Sequence, residues 1–181
     1  MTVHDFQESL EKSKAQEDAP WWEPVYRKAF PGFVSSMSVR SDGWAQRGGI
    51  DRVVNLASGK TVFIDEKVRY RKNTGDILLE QWSRYEPPRT PGWMQKDLAC
   101  DFIAYAFVPD EMCYVLPFLQ LRRAWLESGS EWIVSAREQR NGFRFIDAQN
   151  KGYTTRSIAV PIPELLAALH SAQVVDWGEA A

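Results

Sequence analysis

The chain has 181 residues, 44% of them hydrophobic and 25% charged, with a formal net charge of −2. That length suits one domain, residues 1–181, with enough apolar material for a real core. The weak negative charge argues against a protein that coats nucleic acid nonspecifically, and no apolar run approaches the length of a membrane span.

The opening residues Met1–Phe6 lack a basic stretch followed by an apolar one, so no secretory leader is expected. A cytoplasmic location, in a bacterial host cell or for a phage-encoded protein, is the default expectation. Cys100 and Cys113 sit in or beside apolar segments and read as buried free thiols. With only His4 and His170 to add, a Cys/His zinc site is not expected, whereas a hard cation held by carboxylates remains open.

Val3, Phe6 and Leu10 recur at helical spacing and predict an amphipathic helix to about Gln16. A second helix is predicted from Trp22 to Phe30, ended by Phe30-Pro31-Gly32. Strands are expected at Phe33–Val39, Ile50–Leu56, Thr61–Tyr70 and Ile77–Ser83, with a turn at Ser41-Asp42-Gly43 and a flexible entry at Gly48-Gly49. Pro87–Gly92 makes a rigid connection, and a short helix is expected at Trp93–Leu98. Strands at Asp101–Val108 and Met112–Leu116 flank the turn Pro109-Asp110-Glu111. A helix is predicted over Leu119–Glu127, with Leu119, Leu121, Trp125 and Leu126 as core contacts. A strand at Thr154–Val160 and a helix from about Pro163 complete the fold.

The chemistry concentrates in Gly48-Gly49-Ile50-Asp51-Arg52-Val53-Val54 and Val62-Phe63-Ile64-Asp65-Glu66-Lys67-Val68. Side chains at i and i+2 of a strand share a face, so Asp65 and Lys67 point the same way, and a hairpin brings Asp51 beside them. Two acids and a lysine on one sheet face suit Mg²⁺ or Mn²⁺ and the activation of water against a phosphodiester. Asp51 and Asp65 would ligate through carboxylates and Glu66 through its backbone carbonyl. Lys67 would orient water and offset phosphate charge.

The Ile50-Asp51 pair followed by Asp65-Glu66-Lys67 resembles the PD-(D/E)XK nuclease superfamily, and Gly-Ile-Asp-Arg-Val-Val with Val-Phe-Ile-Asp-Glu-Lys looks most like its RecB-type or phage- and resolvase-like members. The resemblance covers about residues 20–117, with 118–181 completing the domain. It implies an α/β fold with a restriction-endonuclease-like core: an αβββαβ arrangement in which a mixed central sheet is flanked by helices. It also implies a Mg²⁺-dependent deoxyribonuclease, with Asp51 and Asp65 as metal ligands and Lys67 activating water. Gln81-Trp82-Ser83-Arg84-Tyr85 matches the RecB-type Q-x-x-x-Y element, which in that family sits on a helix; here the stretch reads as a strand, and Glu80 becomes the better accessory acid.

Arg69, Arg71 and Lys72 beside the acids are candidates for DNA contact, balanced against a merely solubilising edge. Gln46 and the helical acids Glu11, Glu17 and Glu23 carry less weight. Most of the eight tryptophans are expected in the core; Trp21, Trp22, Trp44, Trp82 and Trp93 are those that stacking on bases would use. Glu66 falls on the apolar face of its strand and needs an arginine partner or a solvent-exposed strand end. DNA is the expected partner, with no membrane, and double-strand cleavage by a single-site enzyme favours a homodimer. The alternative is a catalytically silent module of the same fold that binds DNA or a protein, such as a phage accessory protein.

Overall fold

The structure, a computed structural model, is described for residues 19–169; the helix expected before Gln16 lies outside them. The first described helix, α1 (Trp22–Ala29), carries Trp22 and Tyr26 one turn apart on its buried face, with their rings stacked. Three antiparallel strands follow: β1 (Phe33–Ser38), β2 (Arg52–Leu56) and β3 (Thr61–Arg69). Between β1 and β2 lies a short helix, α2 (Gly43–Arg47), where a turn was expected. Its signal was Asp42, whose carboxylate accepts the N–H groups of Trp44 and Ala45 at 2.8 Å each.

The chain then leaves this sheet. Strand β4 (Asp76–Arg84) and the short β5 (Thr90–Pro91) belong to a second sheet, and a 3₁₀ turn at Trp93–Gln95 stands where a short helix was predicted. The chain returns through β6 (Phe102–Phe107), which pairs in parallel with β3, and β7 (Met112–Pro117), antiparallel to β6. The first sheet thus has the order β1-β2-β3-β6-β7. Asp101 stitches the new strand to the old, its N–H donating to the Phe63 carbonyl and its carboxylate accepting the Phe63 N–H.

A single helix, α3 (Phe118–Arg137), follows. It extends well past the expected end at Glu127, because Gly129 does not break it: a Cβ there would meet the Trp125 indole at 3.1 Å, so the glycine lets the ring lie against the backbone. Phe118, Leu121, Trp125 and Trp132 form the buried stripe. Leu119 and Leu126, expected in the core, are 82% and 74% exposed because they fall off that 3.6-residue phase. The unforeseen strand β8 (Arg144–Asn150) and β9 (Tyr153–Pro161) complete the second sheet, order β5-β4-β9-β8, before α4 (Ile162–Leu169).

The molecule is therefore mixed α/β with a mixed central sheet flanked by helices. Strand β6 shows why two cores form. Ala104 and Ala106 face α1 with Trp22, Tyr26, Val54 and Ile64. Ile103, Tyr105 and Phe107 face the second sheet and α3 with Ile77, Leu79, Leu121 and Ile158. Both faces of the central strands are covered, as parallel pairing demands.

Candidate functional site

The left-handed Gly49 (φ 67) sets the entry to β2. A Cβ at that residue would meet Leu98 at 2.8 Å, so only glycine combines the required φ with the space. The chain then delivers Asp51, whose N–H donates to the Ile64 carbonyl at 2.8 Å. The Asp51 side chain continues the contact to β3: its Oδ2 accepts the Glu66 N–H at 2.8 Å. A strand residue presents N–H and C=O to the same edge, so the Glu66 carbonyl leaves β3 toward Asp51.

Asp65, Lys67 and Arg69 alternate along β3 onto the face opposite α1, opposite Ile103, Tyr105 and Phe107 of β6. Lys67 Nζ donates to Asp65 Oδ1 at 2.6 Å and lies 5.7 Å from the Trp93 ring centroid. Asp65 is buried, while 29% of the Lys67 side chain meets solvent. Burial pushes the Asp65 carboxyl up to about 7; Asp51 adds to the rise and Lys67 opposes it. Burial pulls the other way on Lys67, but Asp65, Asp51 and Glu80 outweigh it and hold the ammonium above its ordinary range. Asp51, Asp65, Lys67 and Glu80 thus act on one another across one small space.

Glu80 reaches that space from the second sheet, with Oε1 accepting the Trp93 N–H at 3.3 Å. The stretch Gln81–Tyr85 is strand through Arg84, as the residues themselves suggested. The backbone carbonyl of Gln81 accepts from the Gly92 N–H and from the Gln95 side chain.

Glu66 turns to the other face. There its buried carboxylate accepts the Tyr26 hydroxyl at 2.6 Å, Arg52 Nε at 2.5 Å and Arg40 at 2.9 Å. The awkward acid of the sequence has two arginine partners, and its side chain takes no part in the acid pair; only its backbone does. Arg40 also lies 3.3 Å from Asp51 Oδ2, so one guanidinium ties the two faces together. Sequence reasoning missed Arg40 and Tyr26. Neither has a motif, and both are recruited by a charge that the strand alternation buries.

Arg69, Arg71 and Lys72 line a cavity of about 160 Å³ with Tyr105 and Arg144. Arg144, from the unforeseen β8, is a further residue that sequence reasoning did not find. Gln46 lies on α2, and Glu23 pairs with Arg27 on the exposed side of α1; Glu11 and Glu17 lie outside the described residues. Trp22, Trp93, Trp125 and Trp132 are buried, whereas Trp44 is 69% exposed. Cys100 and Cys113 are free, with thiols pushed up to about 12 chiefly by burial, which makes them poor nucleophiles.

For a divalent cation the donor chemistry fits: two neighbouring carboxylates and a backbone carbonyl are hard oxygen ligands. Among the described residues no group of three or more His, Cys, Asp or Glu is placed to hold a metal ion. No helix among the described residues is long and apolar enough to cross a membrane. Comparison with protein-family models, with curated proteins and with solved structures finds no match.

Proposed function

We propose that the protein is a metal-dependent deoxyribonuclease built on a PD-(D/E)XK-like core. The observation that carries this reading is the grouping of Asp51, Asp65 and Lys67 on one sheet face, with Lys67 Nζ 2.6 Å from Asp65 Oδ1. The strand plan supports it: a helix, three antiparallel strands, a crossover, and a strand parallel to the third. It departs from the αβββαβ pattern in the crossover, which here contributes β4 to a second sheet where the pattern has a helix.

Asp51, Asp65 and the Glu66 carbonyl would hold Mg²⁺ or Mn²⁺. The cation would supply Lewis-acid stabilisation of the phosphorane-like transition state and make water a better nucleophile at neutral pH. The chain's own groups do the rest. The Lys67 ammonium binds a nonbridging phosphate oxygen and orients the attacking water in line with the leaving oxygen. Arg40 and the Glu66 N–H fix the Asp51 carboxylate before substrate arrives. Asp65 and Asp51, with a smaller share from Glu80, keep Lys67 protonated, and Arg69 extends the positive edge along β3.

The second reading, a silent module of the same fold, draws on one observation: Lys67 already occupies one oxygen of Asp65. Cleavage of plasmid and of single-stranded DNA separates the two. With Mg²⁺ or Mn²⁺ the wild type is expected to cut, chelation to stop it, and Asp65→Ala or Lys67→Met to lower the rate by about a hundredfold or more. Equal rates in variant and wild type would remove this site from any activity seen.

A further inference from the structure

A second concave surface lies beyond the acids. It is a cleft of about 500 Å³ between the second sheet and the C-terminal half of α3. Four arginines line it, Arg89, Arg137, Arg144 and Arg156, and no aspartate or glutamate does. On a chain of net charge −2 the lining is of one sign, with Asp147 and Asp76 behind it holding Arg156 and Arg144 in place and Arg89 and Arg137 left to face a ligand.

The arginines are laid out over aromatic planes. The Arg156 guanidinium sits 3.8 Å from the Tyr85 ring centroid and 4.9 Å from that of Phe145, and it is fixed by two bonds to Asp147. Arg89 lies over both Trp82 and Tyr85, at 5.4 and 4.9 Å. Arg137 is exposed and makes no ion pair among the described residues. Arg144, which pairs with Asp76 at 2.7 Å, lines this cleft and also the cavity of Arg69, Arg71 and Lys72. Arg144 therefore stands where the two cavities meet, with Arg69, Arg71 and Lys72 on one side and a stack of guanidinium and aromatic planes on the other.

Phosphates pair with guanidinium forks, and bases stack on aromatic and guanidinium faces. A pocket of this size admits a nucleotide, whereas a paired base inside a duplex offers no free face to stack upon. We infer that this cleft docks an unpaired stretch of DNA, so that the substrate reaches the acids as a single strand or from a single-stranded end. For its substrate class the inference rests on the nuclease reading; the cleft itself is independent of the acids.

The test is fluorescence anisotropy with a labelled oligo-dT of about 12 nucleotides, in EDTA so that nothing is cut. The comparison is between wild type and the double variant Arg89→Gln/Arg137→Gln, both positions being exposed and folding being checked by circular dichroism. Wild type should bind the single strand more tightly than the matching duplex. The double variant should lose about tenfold in affinity, and its salt slope should shrink by about 1.4 for two lost phosphate contacts. Arg89→Lys/Arg137→Lys should recover part of the affinity. No binding by wild type, preference for duplex, or an unchanged affinity and slope in the double variant would each overturn the inference. The two proposals fail separately. Oligonucleotide binding through the cleft without Mg²⁺- or Mn²⁺-dependent cleavage of that oligonucleotide defeats the hydrolase alone, and its cleavage with an indifferent double variant defeats the cleft alone.

Discussion

At the scale of single residues, Glu66 governs more of the site than its place between two candidate catalytic groups suggests. Its fully buried carboxylate pairs with Arg52 and with Arg40, which Asp51 also shares, and accepts the Tyr26 hydroxyl. Burial and the nearby Glu66 charge push the Tyr26 hydroxyl far above its ordinary value, so it stays a hydrogen-bond donor at every accessible pH. Glu66→Gln leaves two guanidinium groups short of a counter-charge, and removing one partner of a buried ion pair typically costs about 3–5 kcal/mol. The part of Arg40 still held by Asp51 reduces that, so a loss of about 3 kcal/mol in urea denaturation is expected; a loss under about 1 kcal/mol would mean the network carries little weight. Asp65 has the opposite character. The folded chain holds its proton up to about pH 7, the unfolded chain only to about 3.8. Below both values the contribution is fully present, and stability then falls as pH rises through that interval. Asp65→Asn should flatten this slope in the metal-free protein, as read by urea denaturation between about pH 4 and about pH 8.

At the scale of elements, the acids of β2 and β3 were legible because two simple periodicities agree. Strand alternation puts Asp65 with Lys67, and the Gly48-Gly49 entry brings Asp51 alongside. What alternation also implied, a buried Glu66, was visible as a problem without its solution, since Arg40 and Tyr26 come from other elements. The helix α2 was missed although Asp42 announces its cap, because Ser41-Asp42-Gly43 reads equally well as a turn. Strand β8 was illegible for another reason: at an outer position its residues are mostly half-buried or exposed and carry no apolar alternation. The crossover shows how tightly these elements are joined. A Cβ at Gly92 would sit 2.3 Å from the Glu80 carbonyl oxygen, a backbone atom that cannot step aside. Gly92→Ala should therefore push the 3₁₀ turn from β4, displacing Glu80 and Trp93 from Lys67. The expected result is a lowered Tm together with a nicking rate reduced beyond what partial unfolding explains, measured below the transition.

At the scale of the whole molecule, the sequence suggested a core ending near residue 117 and a remainder that completes it. The pairing is more entangled. Strand β4 leaves the first half of the chain to lie against β9 from Asp76↔Pro161 to Trp82↔Arg156, and the larger core draws on both halves at once. A fragment stopped after β7 would present Ile77 and Leu79 on a strand whose long neighbour is missing. Such an edge invites pairing with other chains. Residues 19–117 expressed alone are expected to be aggregated or unfolded by size-exclusion chromatography and near-ultraviolet circular dichroism, with restoration on adding the rest of the chain in trans. A stable, monomeric fragment would contradict this.

The same exchange of strands has a consequence for synthesis. As the polypeptide leaves the ribosome, β1, β2 and β3 can zip together at once, but β4 emerges with only the two-residue β5 to bond to and must await β9, which follows the long helix α3 and β8. Until β9 has been made, the lysine and its acids lack the firmly held wall that Glu80 and Trp93 provide. A nascent chain is thus kept from closing the space around Asp51, Asp65 and Lys67 until β9 has emerged, and long-range closure of this kind sets a slow pace for that step.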